Sequence, residues 1–347
     1  MIIRDIAVFN PKGIKSKESI NYIDTSAVED GRLLDVQRLT KDFPSRAQRV
    51  IQKNDILISS VRPILRHNYF VNRDIENGVA STGFIQLRVN SDKVLPQYLY
   101  YYLTTDKKVQ EYQAIAETSQ STFPSFNKEV IETMDFPNVS LERQYYIVDI
   151  LGTLDEKIEN NNQICEKISN QALLEIEQIL LSTTEFDLLK NHIKFVKGKK
   201  PLEESFDMLP YLSIDGMVTY QFAMACAKNM VLASENDILM VMDGASSGRV
   251  YSAIKGIVSS TMAKVDVFNT DKDFVFWLLK ANEKRISAQN TGSAIPHTDK
   301  DFVGELLLPV VIPNHNLSLY RKTLSKCRKE NLKLNELKQL YLKKFFG

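Results

Sequence analysis

The fold of this chain is decided by residues 141–182, LERQYYIVDILGTLDEKIENNNQICEKISNQALLEIEQILLS. The stretch contains no proline and a single glycine, Gly152. Apolar or small residues recur in steps that alternate between four and three, at Ile147, Leu151, Leu154, Ile158, Asn161, Cys165, Ile168 and Ala172. A heptad spacing of this kind predicts one long helix with a coiled-coil seam along one face.

A second seam of the same spacing follows Pro313 near the end of the chain. Its members are Leu317, Tyr320, Leu324, Cys327, Asn331, Leu334, Lys338, Tyr341 and Phe345. Residues 141–182 carry 3 basic and 8 acidic side chains, whereas residues 313–347 carry 9 and 2. Because the net charges are opposite, pairing of the two helices within one chain is favoured over self-association of either.

One asparagine of each seam lies near the middle of its predicted helix, Asn161 in the first and Asn331 in the second. A polar residue in an apolar seam lowers stability but fixes the register, and two facing amides satisfy each other. We therefore predict an antiparallel coiled coil with Asn161 opposite Asn331. The alternative is that both amides point to solvent.

The two halves of the chain are related by an internal repeat. The offset between matching segments falls steadily along the chain, and the order never reverses. The matches are Tyr22-Ile23-Asp24 with Tyr211-Leu212-Ser213, Asn54-Asp55-Ile56-Leu57 with Asn236-Asp237-Ile238-Leu239, Ser81-Thr82 with Ser260-Thr261, the aromatic run 98–103 with 274–279, and Pro124 and Pro137 with Pro296 and Pro309. This series indicates a duplication that has since lost loop residues.

Each half contains short β-branched runs typical of strands and one aromatic-rich helical stretch. The aromatic residues are interpreted as core rather than as base-stacking groups. We predict an α+β fold of two similar mixed α/β domains in internal repeat, separated by two long antiparallel coiled-coil helices with pseudo-twofold symmetry. The four segments are a first domain at 1–140, a central spacer helix at 141–182, a second domain at 183–312 and a C-terminal spacer helix at 313–347.

Composition narrows the class of protein. With 44% hydrophobic and 25% charged residues in 347, the chain is typical of a soluble, two-domain protein. No apolar run approaches the length needed to cross a membrane, and no export signal is visible, so we expect a cytoplasmic protein. The three cysteines and four histidines are scattered, which argues against a metal site or a disulfide framework.

Motifs for covalent chemistry are missing from the sequence. The chain has no Gly-rich methyl-donor turn with an Asn/Asp-Pro-Pro-aromatic motif, and Gly198-Lys199-Lys200 is only a fragment of a phosphate-binding loop. Neither a nuclease-like carboxylate cluster nor a Ser, His, Asp arrangement can be identified. The pattern favours a binding protein over an enzyme, without a cofactor or metal bound directly.

The motifs that remain occur in a fixed order. In the second half these are Gly198-Lys199-Lys200-Pro201, Asp243-Gly244-Ala245, Gly248-Arg249-Val250, Val258-Ser259-Ser260-Thr261 and Thr291-Gly292-Ser293-Ala294-Ile295-Pro296; in the first, Phe136-Pro137 is followed by Leu141-Glu142-Arg143-Gln144 and Leu154-Asp155-Glu156-Lys157-Ile158-Glu159. Together with the repeat, the chain resembles the specificity (S) subunit of Type I restriction-modification systems. It departs from a strict repeat where Ser60-Val61-Arg62-Pro63 matches Asp243-Gly244-Ala245.

The resemblance implies two target-recognition domains, each reading one half of a bipartite site in double-stranded DNA. It also implies two modification methyltransferase subunits per chain, which bring S-adenosylmethionine, and restriction subunits, which bring ATP and Mg. The chain itself would be a non-catalytic specificity subunit. A net charge of only +1 leaves an alternative open, a coiled-coil adaptor with two protein-binding domains and no nucleic acid.

Candidate DNA-contacting residues are basic and polar side chains on loops at matching places of the two halves. Any one of them could equally be an ordinary solvated loop residue. They are Lys12, Lys15, Arg62, Arg66, Ser119, Gln120, Ser121, Thr122 and Ser125 in the first domain, and Lys197, Lys199, Lys200, Ser246, Ser247, Arg249, Gln289, Asn290, Thr291, Ser293 and His297 in the second.

Overall fold

The first domain is built on two four-stranded sheets. The structure, a computed structural model, describes residues 1–13, 16, 18–118, 124–201, 208–292 and 295–347. The strands are β1 (Ala7–Phe9), β2 (Ile20–Ile23), β3 (Val28–Glu29), β4 (Arg32–Leu33), β5 (Gln37–Leu39), β6 (Ala47–Val50), β7 (Ile56–Ser59), β8 (Tyr69–Phe70), β9 (Gly78–Ser81) and β10 (Phe84–Val89). One sheet has the order β1-β10-β7-β8 and the other β5-β2-β9-β6, while β3 and β4 pair separately.

The repeated motif Asn-Asp-Ile-Leu makes the turn that starts a central strand. Asn54 adopts the left-handed conformation at φ 72°, which asparagine tolerates better than most residues. Asp55 follows, and its carboxylate accepts the backbone N–H of Gln52 at 2.8 Å. All four residues of β7 are then buried. The motif is therefore a structural turn and strand, not a binding site.

The helices of the first domain carry the aromatic run that the sequence places in the core. They are α1 (Pro96–Leu103), α2 (Asp106–Glu117) and α3 (Glu129–Glu132), and they precede the long helix α4 (Leu141–Ser182). Tyr98, Tyr101 and Tyr112 are each 1% exposed. The rings pack in one apolar cluster with residues of β7, β10 and the start of α4.

The second domain repeats this architecture. Its strands are β11 (Phe186–Leu188), β12 (Ile193–Lys197), β13 (Met208–Leu212), β14 (Met224–Cys226), β15 (Leu232–Ala233), β16 (Ile238–Val241), β17 (Val250–Ser252), β18 (Gly256–Val258), β19 (Met262–Val267) and β20 (Leu307–Pro309), and its helices are α5 (Ile214–Thr219), α6 (Lys272–Ala281), α7 (Glu283–Ala288) and α8 (Lys300–Gly304). The sheets β12-β19-β16-β17 and β14-β13-β18-β15 have the same strand order as the two large sheets of the first domain.

Strand registers give the repeat residue by residue. Ile58 pairs with Ile85 as Met240 pairs with Ala263, and the parallel pair β2–β9 recurs as β13–β18. The ladders set the offset of β9 and β10 at 178, so Ser81 corresponds to Ser259. The sequence match of Ser81 with Ser260 was wrong by one residue, because the intervening turn differs while the paired strands do not.

By internal contacts the chain divides into two compact units, Met1–Glu156 with Asn335–Gly347, and Lys157–Leu334. In the first unit, the start of α4 faces the end of the last helix, α9 (Leu317–Phe346). Lys338 Nζ lies 2.6 Å from Asp155 Oδ1, and the rings of Tyr146 and Phe345 are 6.2 Å apart. Early residues of α4 thus meet late residues of α9, which makes the pair antiparallel.

The second unit contains the two central asparagines. Asn161 Nδ2 donates to Asn331 Oδ1 at 2.9 Å, and Asn331 Nδ2 donates to Asn162 Oδ1 at 2.9 Å. Further along, Glu175 Oε1 accepts the backbone N–H of Asn316 at 2.9 Å. The helices are antiparallel here as well, and the predicted fold class is confirmed.

Opposite net charges on α4 and α9 are matched by few direct contacts. Lys338 pairs with Asp155, but Lys329 pairs with Glu235 in the loop before β16. That loop and the outer face of α9 line an open groove in the second unit, with lysines at 322, 326, 329 and 333. Part of the positive charge of α9 therefore faces the second domain rather than α4.

Candidate nucleic-acid interface

Three segments of the second domain meet at one end of the sheet β12-β19-β16-β17. They are the β12 loop (197–200), the β16 loop (243–249) and the described residues of the 291–297 loop, which are 291–292 and 295–297. Gly244 N donates to Pro296 O at 2.9 Å, and Asp243 and His297 form an isolated β-bridge. Backbone bonds thus hold the β16 loop against the 291–297 loop.

Gly198 allows the β12 loop to join this end of the sheet. A Cβ on Gly198 would lie 2.1 Å from Ser259 O and 2.3 Å from Val258 O, so no other residue fits this close approach. Gly198 N donates to Met262 O at 2.9 Å. The two lysines that follow are exposed. In the motif Gly198-Lys199-Lys200, the glycine thus makes a close backbone contact, and the two lysines place positive charge at the surface.

Asp243 connects side chains from two of these segments. Lys197 Nζ lies 2.8 Å from Asp243 Oδ2, and His297 Nδ1 lies 2.8 Å from Asp243 Oδ1. Partial burial opposes ionisation of the carboxyl, but the hydrogen bonds and charges of Lys197 and His297 outweigh it and lower the pKa of Asp243. Asp243 is therefore a carboxylate at neutral pH.

Most predicted residues of the second domain lie on this surface. Those exposed are Lys197, Lys199, Lys200, Arg249, Gln289, Thr291 and His297, while Ser246 and Asn290 are half-buried. Asn290 Nδ2 donates to Ser247 O at 3.3 Å. Ser293 lies outside the described residues. The structure thus brings candidates from three distant sequence segments to one end of one sheet.

Ser247 does not fit the expectation of a DNA contact. It is 1% exposed, and its hydroxyl bonds to Gly244 O at 2.6 Å and Pro296 O at 2.9 Å. The next residue, Gly248, has φ +92°, and a Cβ there would lie 2.9 Å from Ser287 Oγ. Because the loop packs tightly on α7 at this point, the Ser247 hydroxyl stabilises the loop and is not accessible to a DNA base.

The first domain repeats the two backbone contacts that join the β16 loop to the 291–297 loop, and we call this pair of contacts the loop frame. Arg62 N donates to Pro124 O at 2.9 Å, and Val61 and Ser125 form an isolated β-bridge. These bonds correspond to those of Gly244 and Asp243, one for one. Arg62 is exposed, with a left-handed φ of 47°. Lys12 is exposed beyond the end of β1.

Other predicted residues of the first domain lie elsewhere. Lys15, Ser119, Gln120, Ser121 and Thr122 are outside the described residues. Ser125 is half-buried and lies in the frame.

The Arg66 guanidinium contacts residues of its own domain. It forms an ion pair with Asp106 and donates to Thr104 O at 3.4 Å. The charge of Arg66 is thus paired within the domain, and its contact with DNA stays a prediction.

Sequence reasoning missed Arg46. This exposed residue precedes β6, and Thr82 N donates to its carbonyl at 2.8 Å. A Cβ on Gly83 would lie 2.7 Å from Arg46 Nη2, and Gly83 O accepts the N–H of Ser60 at 2.9 Å. Arg46 therefore adds positive charge beside the frame of the first domain. The antiparallel pairing of β6 with β9 brings it there, which its sequence position alone does not indicate.

Neither a metal-ion cluster nor a membrane-spanning helix is found among the described residues. In these parts of the chain no three His, Cys, Asp or Glu side chains are grouped so that they could hold a metal ion. None of the helices found there is long and apolar enough to cross a bilayer.

Comparison with known proteins identifies the kind of domain present. Residues 3–170 match the family model of the Type I restriction modification DNA specificity domain. The chain is 31% identical over 190 residues to the Type I restriction enzyme HindI specificity subunit of Haemophilus influenzae, a match that covers 54% of this chain and 40% of that protein. It is 35% identical over 127 residues to the MjaVIII specificity subunit of Methanocaldococcus jannaschii, covering 34% of this chain and 30% of the relative.

The aligned regions thus span less than half of the length of these curated relatives. A solved structure supports the fold over the full length. The crystal structure of the Type I restriction-modification S subunit from M. genitalium superposes with a TM-score of 0.59 at 17% identity, covering 100% of this chain and 95% of that one. Over residues 3–170, the match to the DNA specificity domain confirms the family resemblance inferred from the sequence.

Proposed function

Since residues 3–170 carry a Type I restriction modification DNA specificity domain, we propose that this chain reads a bipartite site in double-stranded DNA for a Type I restriction-modification complex. Each domain contacts one half-site through the loop frame described above. The helices α4 and α9 set the distance between the half-sites. The chain is a non-catalytic specificity subunit and acts in the cytoplasm.

One observation carries this proposal: the two domains share the same loop frame but have different side chains on it. Val61 and Ser125 in the first domain stand where Asp243 and His297 stand in the second. A rigid frame with variable side chains is what direct reading of base edges requires, because the geometry must stay fixed while the donors and acceptors change. Two frames with different side chains fit two different half-sites.

The exposed cations supply the attraction to DNA that does not depend on sequence. Lys12, Arg46 and Arg62 in the first domain, and Lys199, Lys200 and Arg249 in the second, can contact phosphates or the edges of guanine. A low net charge is compatible with this role because these six cations are exposed and lie on loops.

Partner subunits supply the chemistry in this proposal. Two modification methyltransferase subunits dock on one chain and bring S-adenosylmethionine, and restriction subunits bring ATP and Mg. The chain binds none of these cofactors directly. Its contribution is to choose the DNA and to hold the catalytic subunits on it.

Single-molecule methylome sequencing of the host, with the gene intact and deleted, tests the proposal. We expect one split motif of methylated adenines to disappear on deletion. Complementation with Arg62→Ala should relax the motif in one half, and Arg249→Ala in the other, since each arginine lies on a different frame. An unchanged methylome in a host whose methyltransferase is expressed would favour the adaptor alternative.

A further inference from the structure

Asp243 is the one acidic side chain that bridges two candidate DNA contacts of the described interface. It joins Lys197 at the end of β12 to His297 in the 291–297 loop, with both distances at 2.8 Å. Its own backbone belongs to the β16 loop. A single carboxylate therefore connects the side chains of all three segments of the second frame.

The first domain is built differently at the same place. Val61 corresponds to Asp243, and Ser125 corresponds to His297, with the backbone bridge between them retained. A valine has no charge and cannot form an ion pair. The backbone frame is thus common to both domains, whereas the ionic junction belongs to the second.

A carboxylate on a DNA-binding surface has a physical cost. It repels the phosphates that Lys199, Lys200 and Arg249 attract, and the Asp243 side chain is still 23% exposed. Lysine also has many rotamers, so an unfixed Lys197 would lose conformational entropy on binding. Anchoring Lys197 and His297 before DNA arrives reduces that loss, which offsets the repulsion.

We infer that Asp243 is a positioning residue for base reading by the second domain. It holds Lys197 and His297 in one fixed arrangement and makes that arrangement selective for one half-site. The inference rests on the proposed function and assigns part of its specificity to a residue that itself opposes DNA binding. When the charge of Asp243 is removed, discrimination should therefore fall while overall affinity rises.

The test uses the full chain in complex with its methyltransferase subunits. Binding of wild type and Asp243→Asn is measured to the cognate duplex, to duplexes mismatched in either half-site, and to a random-sequence duplex. Asparagine keeps the size and the acceptor oxygen but removes the charge. We expect discrimination in one half-site to fall by about tenfold. Discrimination in the other half-site should stay unchanged, and binding to random DNA should tighten by about two- to threefold.

Two further variants separate positioning from charge. Asp266→Asn removes an equivalent charge paired with Lys264 at 3.0 Å, near the opposite end of β19. It should leave discrimination in both half-sites unchanged. Asp243→Glu keeps the charge but lengthens the side chain, and it should lower discrimination without tightening binding to random DNA. This variant carries the test if Asp243→Asn does not fold.

Each other outcome overturns the inference. Equal tightening of Asp243→Asn on all duplexes would mean that Asp243 acts only through its charge. Equal weakening on all duplexes, together with a lower melting temperature, would mean a structural role only. If the wild-type complex itself fails to discriminate in either half-site, the proposed function fails as well, and the wild-type measurement shows this independently of the variants.

Discussion

Gln144 illustrates how a single buried polar side chain connects α4 to the first domain. It is 1% exposed although it lies near the start of a long helix. Its Nε2 donates to Lys93 O and Val139 O, and its Oε1 accepts the N–H of Leu95, all at 2.9 Å. The amide therefore satisfies three backbone groups on the segments that flank α1 and α4.

Replacing Gln144 with alanine should destabilise the protein markedly. The change leaves three partly buried backbone groups without their partner, so the free energy of unfolding should fall by about 2–4 kcal/mol. Urea denaturation followed by circular dichroism measures this. Gln163→Ala on the same helix is the control, since Gln163 is exposed and bonds only to Glu159 in the helix. A loss below roughly 0.5 kcal/mol for Gln144→Ala, as expected of the control, would contradict the role given to Gln144.

Asp237 gives the second domain a pH-dependent contribution to stability. Burial opposes its ionisation, but hydrogen bonds from Lys272 and from the backbone of Ser234 outweigh this and lower the pKa of Asp237. A carboxyl with a lowered pKa in the folded state stabilises that state above the unfolded pKa of about 3.9. The contribution is lost as the pH falls through the lower folded value.

Asp237→Asn should therefore be less stable than wild type at pH 7, by at most about 1 kcal/mol because Lys272 is partly exposed. The difference should shrink as the pH falls below 4. Chemical denaturation of both proteins between pH 7 and pH 3 measures it, with the exposed Asp92→Asn as control. A difference that stays constant over this range would assign the effect to packing instead of charge.

Residue types could be predicted from the sequence, but their exposure could not. Ser247 and Ser246 are neighbours of the same type, yet Ser247 is buried because Gly248 packs on α7. Arg66 is paired by Asp106, which lies 40 residues away on α2. Both outcomes depend on tertiary contacts that no local pattern contains.

At the level of elements, periodicity was sufficient for the helices. The two heptad spacings predicted α4 and α9 and the pairing of Asn161 with Asn331, because a period of 3.5 residues constrains which side chains face a partner. Turns were harder to align. Ser81 was matched one residue away from Ser259, since the repeat is kept by strand pairing and not by the turn sequence.

The asparagine pair should show thermodynamic coupling. Asn161→Leu leaves Asn331 Oδ1 without its donor in the seam, and Asn331→Leu leaves Asn161 Nδ2 without its acceptor, so each should lower stability by about 1–2 kcal/mol. The double variant should lose less than the sum, with a coupling of roughly 0.5–3 kcal/mol, because neither partner of the Asn161–Asn331 bond is then left unsatisfied. A double-mutant cycle by urea denaturation measures this. Strictly additive effects would mean that the two amides contribute independently.

At the scale of the whole molecule, the two duplicated domains share their architecture and differ in their loop residues. The shared strand order and loop frame fix where each domain presents its side chains, and the differing loop residues fix what it presents. The sequence repeat predicted the first of these, because strand pairing depends on hydrophobic pattern and turns. It could not predict the second, since ionic contacts such as Asp243 with Lys197 join residues far apart in the chain.

In the proposed function, the length of the helices α4 and α9 sets the spacing between the half-sites, and this length can be changed. An α-helix rises 1.5 Å per residue, and DNA rises 3.4 Å per base pair. One heptad added to both α4 and α9 beside the Asn161–Asn331 pair keeps the seam in phase and lengthens each helix by about 10.5 Å. The methylated motif should keep both half-sites, and its spacer should grow by about three base pairs.

Methylome sequencing of a host that carries the lengthened gene measures this spacer directly. A heptad inserted into α4 alone serves as the control, because it removes Asn161 from its partner and leaves the two helices unequal in length. That variant should lose the methylated motif or give an unstable protein. If the doubly lengthened chain instead methylates the original motif with an unchanged spacer, the distance between half-sites is set by the domains and their partner subunits, and not by the helices.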